Sequence, residues 1–451
     1  MFFVYLQCMT KERYTEILEH LKTLIEGSVF QGHLYSVGGC ERDVKLGNTI
    51  KDIDLVVDIP NGGIMLAEWL YNNGELLWAP VVYQNFGTAM FVLKGFPDEE
   101  LEAVQTRKEC YRDINSRDPE TAFGTIYDDC TRRDFTVNAF YRNISTGESI
   151  DFNGNSEADL KERIIRTCGD PEIIFNEDPL RIMRMVRFAT RLGFAVEKKT
   201  FECAKKYVDR LSIISRERIH DEFMKMCNEK SYTQAIDAMF MLWDIGAFKY
   251  IIPYLGEFGH QDVYYYMHGF IKFCEEMIGL TKEGMFAAML FNDPDAEQEL
   301  RDLKCTNDFI DEVLFLIKTN KEFENRLSKG LDTDFESGIS LFREYAHICG
   351  NENRLRTMIC CGGESALKYY FFYYDEEDGY FFDELNRTEK KFYKYELPVT
   401  GEDVMKELGI GPSKKVGEVL EKLWKFVFVN PDRSSREDII NYLKYVKTQG
   451  I

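Results

Sequence analysis

The chain contains the stretch Tyr35-Ser-Val-Gly-Gly-Cys-Glu-Arg-Asp-Val-Lys-Leu-Gly47, followed by Lys51-Asp-Ile-Asp-Leu-Val-Val-Asp58. Apolar residues lead into two glycines, a run compatible with a helix follows, and an alternating segment then carries Asp52 and Asp54. Residues two apart on a strand point to the same side, so these two carboxylates converge in front of a sheet. We expect strands near residues 33–38 and 52–57, with a helix between them.

The same stretch carries groups suited to a phosphate chain and a cation. Gly38 and Gly39 let the backbone approach a phosphate closely, and the start of the next helix offers N–H donors. Arg42 adds a charge-assisted contact, while Asp52 and Asp54 supply the oxygen ligands that a hard divalent cation prefers. Each half is common alone as a turn or a solvated strand edge. Their order and spacing together are far more specific than either half.

The composition describes a globular chain of 451 residues, for which two to four domains are expected. No apolar run approaches the roughly 20 residues of a membrane span, and the N-terminus lacks the basic leader of a signal peptide. The 12 cysteines include no C-x-x-C pair, which favours reduced thiols and a cytoplasmic location. The net charge of −21 is unusual for a protein with a nucleic-acid partner.

Further elements surround this stretch. Periodicity predicts helices at 11–27 and 64–73, a hairpin of strands within 78–93, and a short strand at 101–107. Glu102 on the last strand is a candidate third carboxylate. Residues 108–130 are polar and predict a mobile loop. After them, Arg132 and Arg133 can neutralise phosphates, while Asp134 and Asn138 offer groups for ribose hydroxyls.

These motifs resemble the head of the bacterial and eukaryotic class of CCA-adding tRNA nucleotidyltransferases and of the related bacterial poly(A) polymerases. The glycine motif of that family reads G-G-A-V-R-D, and here it reads Gly38-Gly-Cys-Glu-Arg-Asp43. The departure at Glu41 predicts an unusual negative charge beside the triphosphate site. The resemblance also implies that Asp52 and Asp54 hold two Mg²⁺ ions and that Glu102 activates the 3′-hydroxyl of a primer.

The resemblance assigns nucleotide contacts to further residues. The R-R-D-F-T-V-N-A element would bind ribose and triphosphate through Arg132, Arg133, Asp134 and Asn138, together with Gly38, Gly39 and Arg42. A Glu-Asp-Pro-Leu-Arg element at residues 177–181 opens a helix predicted to continue to Leu192 and matches the family's base-recognition element. Arg184 lies on an arginine stripe of that helix with Arg181, Arg187 and Arg191. The segment Ser215–Glu222 resembles a motif that braces the neck.

Asp178 and Arg181 are predicted to read the base. Cytosine and adenine both present an amino donor beside a ring-nitrogen acceptor, whereas uracil and guanine present a carbonyl beside a ring N–H. An ionised aspartate only accepts hydrogen bonds and an arginine only donates them, so the pair complements C and A. Residues three apart at a helix start are neighbours, which allows this pairing.

Near the end, residues 397–417 resemble the closing segment of CCA-adding enzymes. Gly411-Pro412 predicts a turn before a helix, which leaves Lys414 and Lys415 free to meet RNA phosphates. The segment from Glu396 to Ile451 has nine basic and nine acidic side chains, so it is locally neutral. The excess of negative charge therefore lies elsewhere in the chain.

The prediction is an α+β head with a small mixed sheet (the nucleotidyltransferase fold), followed by all-α neck, body and tail domains. The predicted boundaries are a catalytic head at 1–152, a nucleobase-reading neck at 153–228, a body at 229–330 and a tRNA-binding tail at 331–451. The predicted function is template-independent addition of CMP and AMP from CTP and ATP to tRNA. The alternatives are a poly(A) polymerase, a C-only or A-only enzyme, and a catalytically silent RNA-binding protein.

Two observations bear on these alternatives. The tail motif and Asn85-Phe-Gly-Thr88 favour CCA addition, and intact Asp52, Asp54 and Glu102 argue against a silent protein. The aromatic run Tyr369–Tyr374, inside an acidic segment at 363–384, is interpreted as core and not as a base-stacking platform.

Overall fold

The computed structural model describes residues 9–84, 87–110, 120–227, 232–258, 281–330, 344–345, 347–350, 354, 358, 397–429 and 435–448. The predictions for Asn85, Phe86 and the run Tyr369–Tyr374 lie outside these residues. The chain divides into two compact units, one of residues 1–226 and 233–257, and one of residues 227–232 and 258–451.

The first unit opens with the α+β head. Its elements in chain order are α1 (Lys11–Ile25), β1 (Leu34–Val37), α2 (Gly39–Leu46), β2 (Ile53–Val57), α3 (Gly62–Asn72), β3 (Val81–Tyr83), β4 (Thr88–Val92), β5 (Glu100–Gln105), β6 (Arg107–Cys110), β7 (Glu120–Phe123), α4 (Ile126–Thr131), β8 (Tyr141–Asn143) and β9 (Ser149–Ile150). The strands and helices predicted around the glycine motif are confirmed.

Seven of these strands form one mixed sheet in the order β3-β4-β5-β2-β1-β8-β9. Strands β2 and β5 run parallel, and the other neighbouring pairs run antiparallel. The crossover from β2 to β5 passes through α3. Gly63 at the start of α3 permits this close packing, because a Cβ there would lie 2.3 Å from the carbonyl oxygen of Ala103.

Alternation along the strands gives the sheet two different faces. One face packs against α1 and α3 through Leu55, Phe91 and Leu101, which belong to the largest apolar cluster of the head. The other face carries a smaller cluster that includes Val37, Val56 and Tyr141. Asp54 lies between buried neighbours and projects to this second face, so it shares a face with the smaller core.

One prediction about local structure is wrong and another is confirmed. The described residues 108–110 and 120–130 of the predicted loop contain regular structure, because β6 pairs with β7 and α4 begins at a capping box formed by Thr125 and Asp128. The helix predicted to open at residues 177–181 and to continue to Leu192 is confirmed as α7 (Leu180–Leu192), and a separate helix, α6 (Pro171–Glu177), precedes it. The break falls at Asp178, whose extended backbone precedes Pro179, in line with the restriction that proline imposes on its predecessor.

The rest of the first unit is mostly helical. Its elements are α5 (Ser156–Glu162), β10 (Ile164–Ile165), α6, α7, β11 (Ala195–Val196), α8 (Lys198–Tyr207), α9 (Arg216–Met226), α10 (Tyr232–Asp244), α11 (Phe248–Ile251) and α12 (Pro253–Gly256). Helix α7 packs against α9, and a short parallel pair joins β10 to β11.

The described part of the second unit is helical. It contains α13 (Lys282–Met289), α14 (Ala296–Asp302), α15 (Asn307–Gly330), α16 (Gly401–Leu408), α17 (Lys414–Val429) and α18 (Arg436–Thr448). Helices α16 to α18 close around Val404, Val419, Leu423, Ile439 and Leu443. The turn predicted at Gly411-Pro412 precedes α17 as expected, and the fold class of a mixed-sheet head followed by helical domains is confirmed. Within the described residues, no helix is both long and apolar enough to span a bilayer.

Candidate active site

The glycine motif forms the turn between β1 and α2. Gly38 has a φ of 87°, a conformation that favours glycine. A Cβ at this position would lie 3.6 Å from both Arg133 Nη1 and Asp54 Oδ2, so the turn faces a cation and a carboxylate. The first N–H groups of α2 follow directly after the turn, where an anion is favoured.

The carboxylates lie in register across the parallel strands. Asp54 on β2 is the direct partner of Glu102 on β5, so their side chains share one face of the sheet. Asp52 comes immediately before β2. Asp52, Asp54 and Glu102 are all exposed to solvent. Glu102 therefore lies beside Asp54, and with Asp52 they form the row of carboxylates that the sequence predicted.

The surroundings raise the pKa of two of these groups. Asp54 is exposed, but the surrounding protein removes part of its hydration, and this desolvation raises its pKa. The negative charge of Asp52 raises the pKa further, and the positive charge of Arg133 opposes the increase. Desolvation likewise raises the pKa of Glu102, followed by the charge of Asp54, with Arg107 opposing. Clustered negative charge of this kind is what a bound cation relieves. Among the residues that the structure describes, no three or more His, Cys, Asp or Glu side chains are grouped so that together they could bind a metal ion.

A buried carboxylate orients the two arginines of the R-R-D element. Asp129 accepts hydrogen bonds from Arg132 Nη2 at 2.5 Å, from Arg133 Nη2 at 3.1 Å and from the hydroxyl of Tyr141 at 2.7 Å. Burial would raise the pKa of Asp129, but the charges of Arg133 and Arg132 and the bond from Tyr141 outweigh it and lower the pKa to about 2. Asp129 therefore stays ionised and holds both guanidinium groups in place.

Sequence reasoning missed Asp129, although a signal was present. It precedes Arg132 and Arg133 by three and four residues, the spacing at which side chains meet on a helix. Arg133 then faces Asp54 across the glycine turn, and its Nε donates to Tyr141 at 2.8 Å. Arg132 is directed differently, because its Nε also donates to the carbonyl of Arg107 at 3.2 Å.

A hydrogen-bonded network joins the glycine motif to the neck helix α7. Arg42 forms a two-point ion pair with Asp43 and donates through Nη1 to Asn138 Oδ1 at 2.5 Å. Asn138 donates to Asp134 Oδ1 at 3.2 Å, and Asp134 Oδ2 accepts from Arg184 Nη2 at 2.6 Å. Burial would raise the pKa of Asp134, but the charge and hydrogen bonds of Arg184 lead the effects that lower it to about 2.

The network continues along the arginine stripe of α7. Arg187 Nε donates to Glu222 Oε2 on α9 at 2.6 Å, and Arg184 lies 3.8 Å from the other oxygen of Glu222. The guanidinium groups of Arg42, Arg184 and Arg187 lie within 5.5 Å of the ring centre of Phe188. The last residue of the motif interpreted as a brace for the neck thus contacts α7.

Most of these groups line one cleft of about 270 Å³, although Glu102 and Arg132 do not belong to its lining. It contains the following residues in its lining: Gly38, Gly39, Cys40, Arg42, Asp43, Lys51, Asp52, Asp54, Arg133, Asp134, Asn138, Arg184, Arg187, Phe188 and Arg191. Six of these residues are basic and four are acidic, so the cleft is locally cationic in a chain of net charge −21. Three motifs far apart in the sequence converge here.

The remaining predicted residues lie outside this lining. Asp178 Oδ2 accepts from Arg218 Nη2 at 3.0 Å, and the buried Arg181 donates through Nη2 to the carbonyl of Arg132 at 2.9 Å. The two side chains therefore have different partners in this structure. Lys414 and Lys415 begin α17 in the second unit, and both are exposed.

The expectation for Glu41 is wrong. This side chain is fully buried, accepts from the hydroxyl of Tyr14 at 2.5 Å, and pairs with Arg142 Nε at 3.1 Å. Glu41 points away from the cleft because α2 turns it towards β8, where Arg142 neutralises it. It therefore adds no unpaired charge beside the glycine turn.

Comparison with known proteins places this architecture. The family "Poly A polymerase head domain" matches residues 34–166, and "Probable RNA and SrmB- binding site of polymerase A" matches residues 193–258. A CCA-adding enzyme of Ligilactobacillus salivarius is 28% identical over 422 residues, which cover 91% of this chain and 92% of that protein. A CCA-adding enzyme of Anoxybacillus flavithermus is 30% identical over 330 residues, covering 72% of this chain and 76% of that protein.

The fold agrees with a solved structure as well. The Thermotoga maritima CCA-adding enzyme, in complex with tRNA, superposes with a TM-score of 0.70 at 23% identity and covers 97% of this chain and 96% of that one. A carboxylate row on a head of this kind makes the chain a nucleotidyltransferase. More particularly, its identity to full-length relatives shows that it belongs to the family of CCA-adding enzymes. The resemblance inferred from the sequence is confirmed.

Proposed function

We propose that the protein transfers CMP and AMP from CTP and ATP to the 3′ end of tRNA without a nucleic-acid template and releases pyrophosphate, in the cytoplasm. The observation that carries the proposal is the register of Asp54 with Glu102 beside a cationic cleft. Membership of the family supports the choice of substrates. The basic side chains of the cleft can bind a triphosphate, and the row of carboxylates can bind the metal ions that assist attack on the α-phosphorus.

Asp52 and Asp54 are the residues proposed to hold Mg²⁺. Their oxygen donors suit a hard cation, and desolvation together with the charge of Asp52 raises the pKa of Asp54, so a positive charge between the two carboxylates is favourable. When bound there, Mg²⁺ would supply positive charge to stabilise the attacking and leaving oxygens of the transfer. Glu102 accepts the proton of the primer's 3′-hydroxyl, a role for which a raised pKa is an advantage.

The triphosphate is proposed to lie along the glycine turn. Gly38 and Gly39 supply close backbone approach, Arg42, Arg132 and Arg133 supply positive charge, and Asp134, Asn138 and Arg184 contact the ribose and phosphates. Asp129 fixes Arg133 against Asp54, which limits the reorganisation needed when charge develops on the phosphoryl oxygens.

Replacing Asp178 or Arg181 by alanine is expected to reduce both the rate and the discrimination against UTP and GTP. Their hydrogen-bonding groups complement C and A, and mismatched polar contacts in such a site can be worth factors of ~10⁴. In this proposal the carboxylate of Asp178 loses its hydrogen bond from Arg218 and accepts one from the base instead. The measurement is the ratio of kcat/KM for CTP and ATP to that for UTP and GTP.

Asp170→Ala is the matched control for these variants, since this exposed carboxylate caps α6 in the same region. It should cost stability without changing base selection. Selectivity that stays at the wild-type ratio in both Asp178→Ala and Arg181→Ala would assign base reading to another part of the neck.

The domains are proposed to divide the task as head (1–152), base-reading neck (153–228), body (229–330) and tRNA-binding tail (331–451).

The tail prediction is tested by Lys414→Glu combined with Lys415→Glu, which should weaken tRNA binding more than nucleotide binding. We also expect wild-type tRNA affinity to fall steeply with salt, because counterion release depends on local phosphate contacts and not on net charge. Binding is measured by filter retention at several salt concentrations.

The matched control is Lys406→Glu with Lys422→Glu, which makes the same change of net charge at exposed positions on α16 and α17. Equal weakening by both pairs would reduce the effect to overall charge. Normal tRNA binding by the Lys414 and Lys415 variant would remove these lysines from the interface.

The proposal as a whole is tested by incubating the protein with tRNA that lacks its 3′ terminal CCA and with one labelled nucleotide at a time. CCA addition predicts incorporation of CMP alone and of AMP only after CMP. Long AMP tails would identify a poly(A) polymerase, and no incorporation would leave an RNA-binding protein.

A further inference from the structure

The catalytic face of the sheet continues beyond Glu102 to the sheet edge. Glu102 on β5 is the direct partner of Met90 on β4, and Met90 is the partner of Val81 on β3. Directly paired residues share a face, so Asp54, Glu102, Met90 and Val81 form one row of side chains. Neighbouring strands lie about 4.8 Å apart, which puts Val81 roughly 10 Å from Glu102.

Tyr83 stands on the same face in the next row. It pairs with Thr88 on β4, which in turn pairs with Val104 on β5, two residues beyond Glu102. Val81 is 51% exposed and Tyr83 is 45% exposed, while Met90 is half-buried. The three side chains therefore form an open apolar surface next to the catalytic carboxylate.

This surface lies at an edge strand of the described sheet. Exposed edges usually carry charged residues that block pairing, yet the three residues of β3 are Val81-Val82-Tyr83 and carry none. Exposed apolar groups beside a functional site commonly mark a binding surface. The sequence of β3 is therefore suited to contact with a ligand.

The geometry of the reaction indicates which ligand this is. The cationic cleft lies on the side of Asp54 that faces β1 and α2, and Glu102 with β4 and β3 lies on the other side. In phosphoryl transfer the attacking and leaving oxygens are roughly in line, so the attacking 3′-hydroxyl approaches opposite the pyrophosphate. The last nucleotide of the RNA therefore comes in over β5, β4 and β3.

We propose that Tyr83, supported by Val81 and Met90, is a stacking platform for the base of the terminal nucleotide of the RNA primer. Single-stranded RNA ends are typically bound by stacking on aromatic side chains, which tolerates different bases. The inference rests on the proposed function. Tyr83 is a positioning residue: it holds the base so that the 3′-hydroxyl lies at Glu102.

The test compares Tyr83→Ala with Tyr83→Phe. The alanine variant should raise KM for the RNA primer about tenfold, because base stacking is lost. KM for CTP should stay within about twofold of wild type, because the nucleotide cleft lies on the other side of Asp54. The phenylalanine variant should restore the wild-type KM for RNA, since it keeps the ring.

Tyr71→Ala is the matched control. Tyr71 is 48% exposed and belongs to α3, which packs on the opposite face of the sheet. This variant should leave KM for RNA unchanged. A wild-type KM for RNA in Tyr83→Ala, or an equal increase in Tyr71→Ala, would overturn the platform.

Wild-type transfer of CMP and AMP tests the proposed function separately from the platform. For the case in which Tyr83→Ala fails to fold by circular dichroism, the wild-type protein is cross-linked to an RNA with 4-thiouridine at its 3′ end. Cross-links within residues 81–92 support the platform. Cross-links confined to other segments overturn it, whether or not transfer is observed.

Discussion

Replacing Asp52 or Asp54 by alanine will abolish nucleotide transfer while the fold stays intact. Each change removes an oxygen ligand from the proposed metal site, on which the charge stabilisation of the transition state depends. Transfer is measured with labelled CTP under single-turnover conditions, and Mn²⁺ binding by calorimetry reports the metal site without reference to activity. Retention of more than about a hundredth of the wild-type rate by both variants would contradict the assignment.

The stability of the Asp54 variant provides an internal check. Because the fold raises the pKa of Asp54, the ionised carboxylate is less favourable in the folded than in the unfolded state, so its removal should not lower stability at neutral pH.

Glu100→Gln is a matched control for Glu102→Gln, since both glutamates are exposed on the same face of β5. Only the Glu102 variant should be severely slow.

Asp129→Asn is expected to lower both stability and activity. The change leaves Arg132 and Arg133 without their buried counter-charge, and breaking such a pair costs about 3–5 kcal/mol of unfolding free energy. Arg133 then loses its orientation towards Asp54, for which we expect a fall in kcat/KM for CTP of about 10²-fold. Urea unfolding and steady-state kinetics measure the two effects.

Asp128→Asn is the matched control, because Asp128 is only half-buried and serves the capping box of α4. Its loss should cost about 1 kcal/mol and leave kcat/KM unchanged. An equal kcat/KM for CTP in the two variants would show that Asp129 contributes to stability and not to activity.

The lowered pKa of Asp129 also gives the pH dependence a direction. Its carboxylate titrates at about 2 in the fold against an ordinary pKa of 3.8, so its ionised form contributes about 2 kcal/mol above pH 4. That stability is lost as the pH falls from about 4 to about 2. The Asp129→Asn variant should show a shallower loss of stability over the same range than the wild type.

The carboxylate row was predictable because strand periodicity is local. Asp52 and Asp54 line the same cleft, as the alternation in the sequence predicted, and the short strand carrying Glu102 was recognisable by the same pattern. The family motif then placed Glu102 near them, as the parallel register shows. The start of α17 after Gly411-Pro412 was equally local, since proline and glycine act on the backbone of their neighbours.

The direction of individual polar side chains was not predictable in the same way. Glu41 turns from the cleft because of Arg142, which lies 101 residues further along the chain. Arg181 is drawn into contact with the carbonyl of Arg132 by the packing of α7 on the head. Such partners are chosen by tertiary structure, and periodicity within one segment contains no information about them.

The ion pair between Asp134 and Arg184 has a calorimetric consequence. Both oxygens of Asp134 already accept hydrogen bonds from the protein, so a ribose hydroxyl bound there replaces a donor and does not add one. In the proposed binding mode the number of hydrogen bonds at Asp134 then changes little, so this one contact adds little to the heat released on nucleotide binding. In that mode Arg184 and the ribose hydroxyl compete for the same oxygen of Asp134, so Arg184 must turn from Asp134 towards the nucleotide as the ribose is bound.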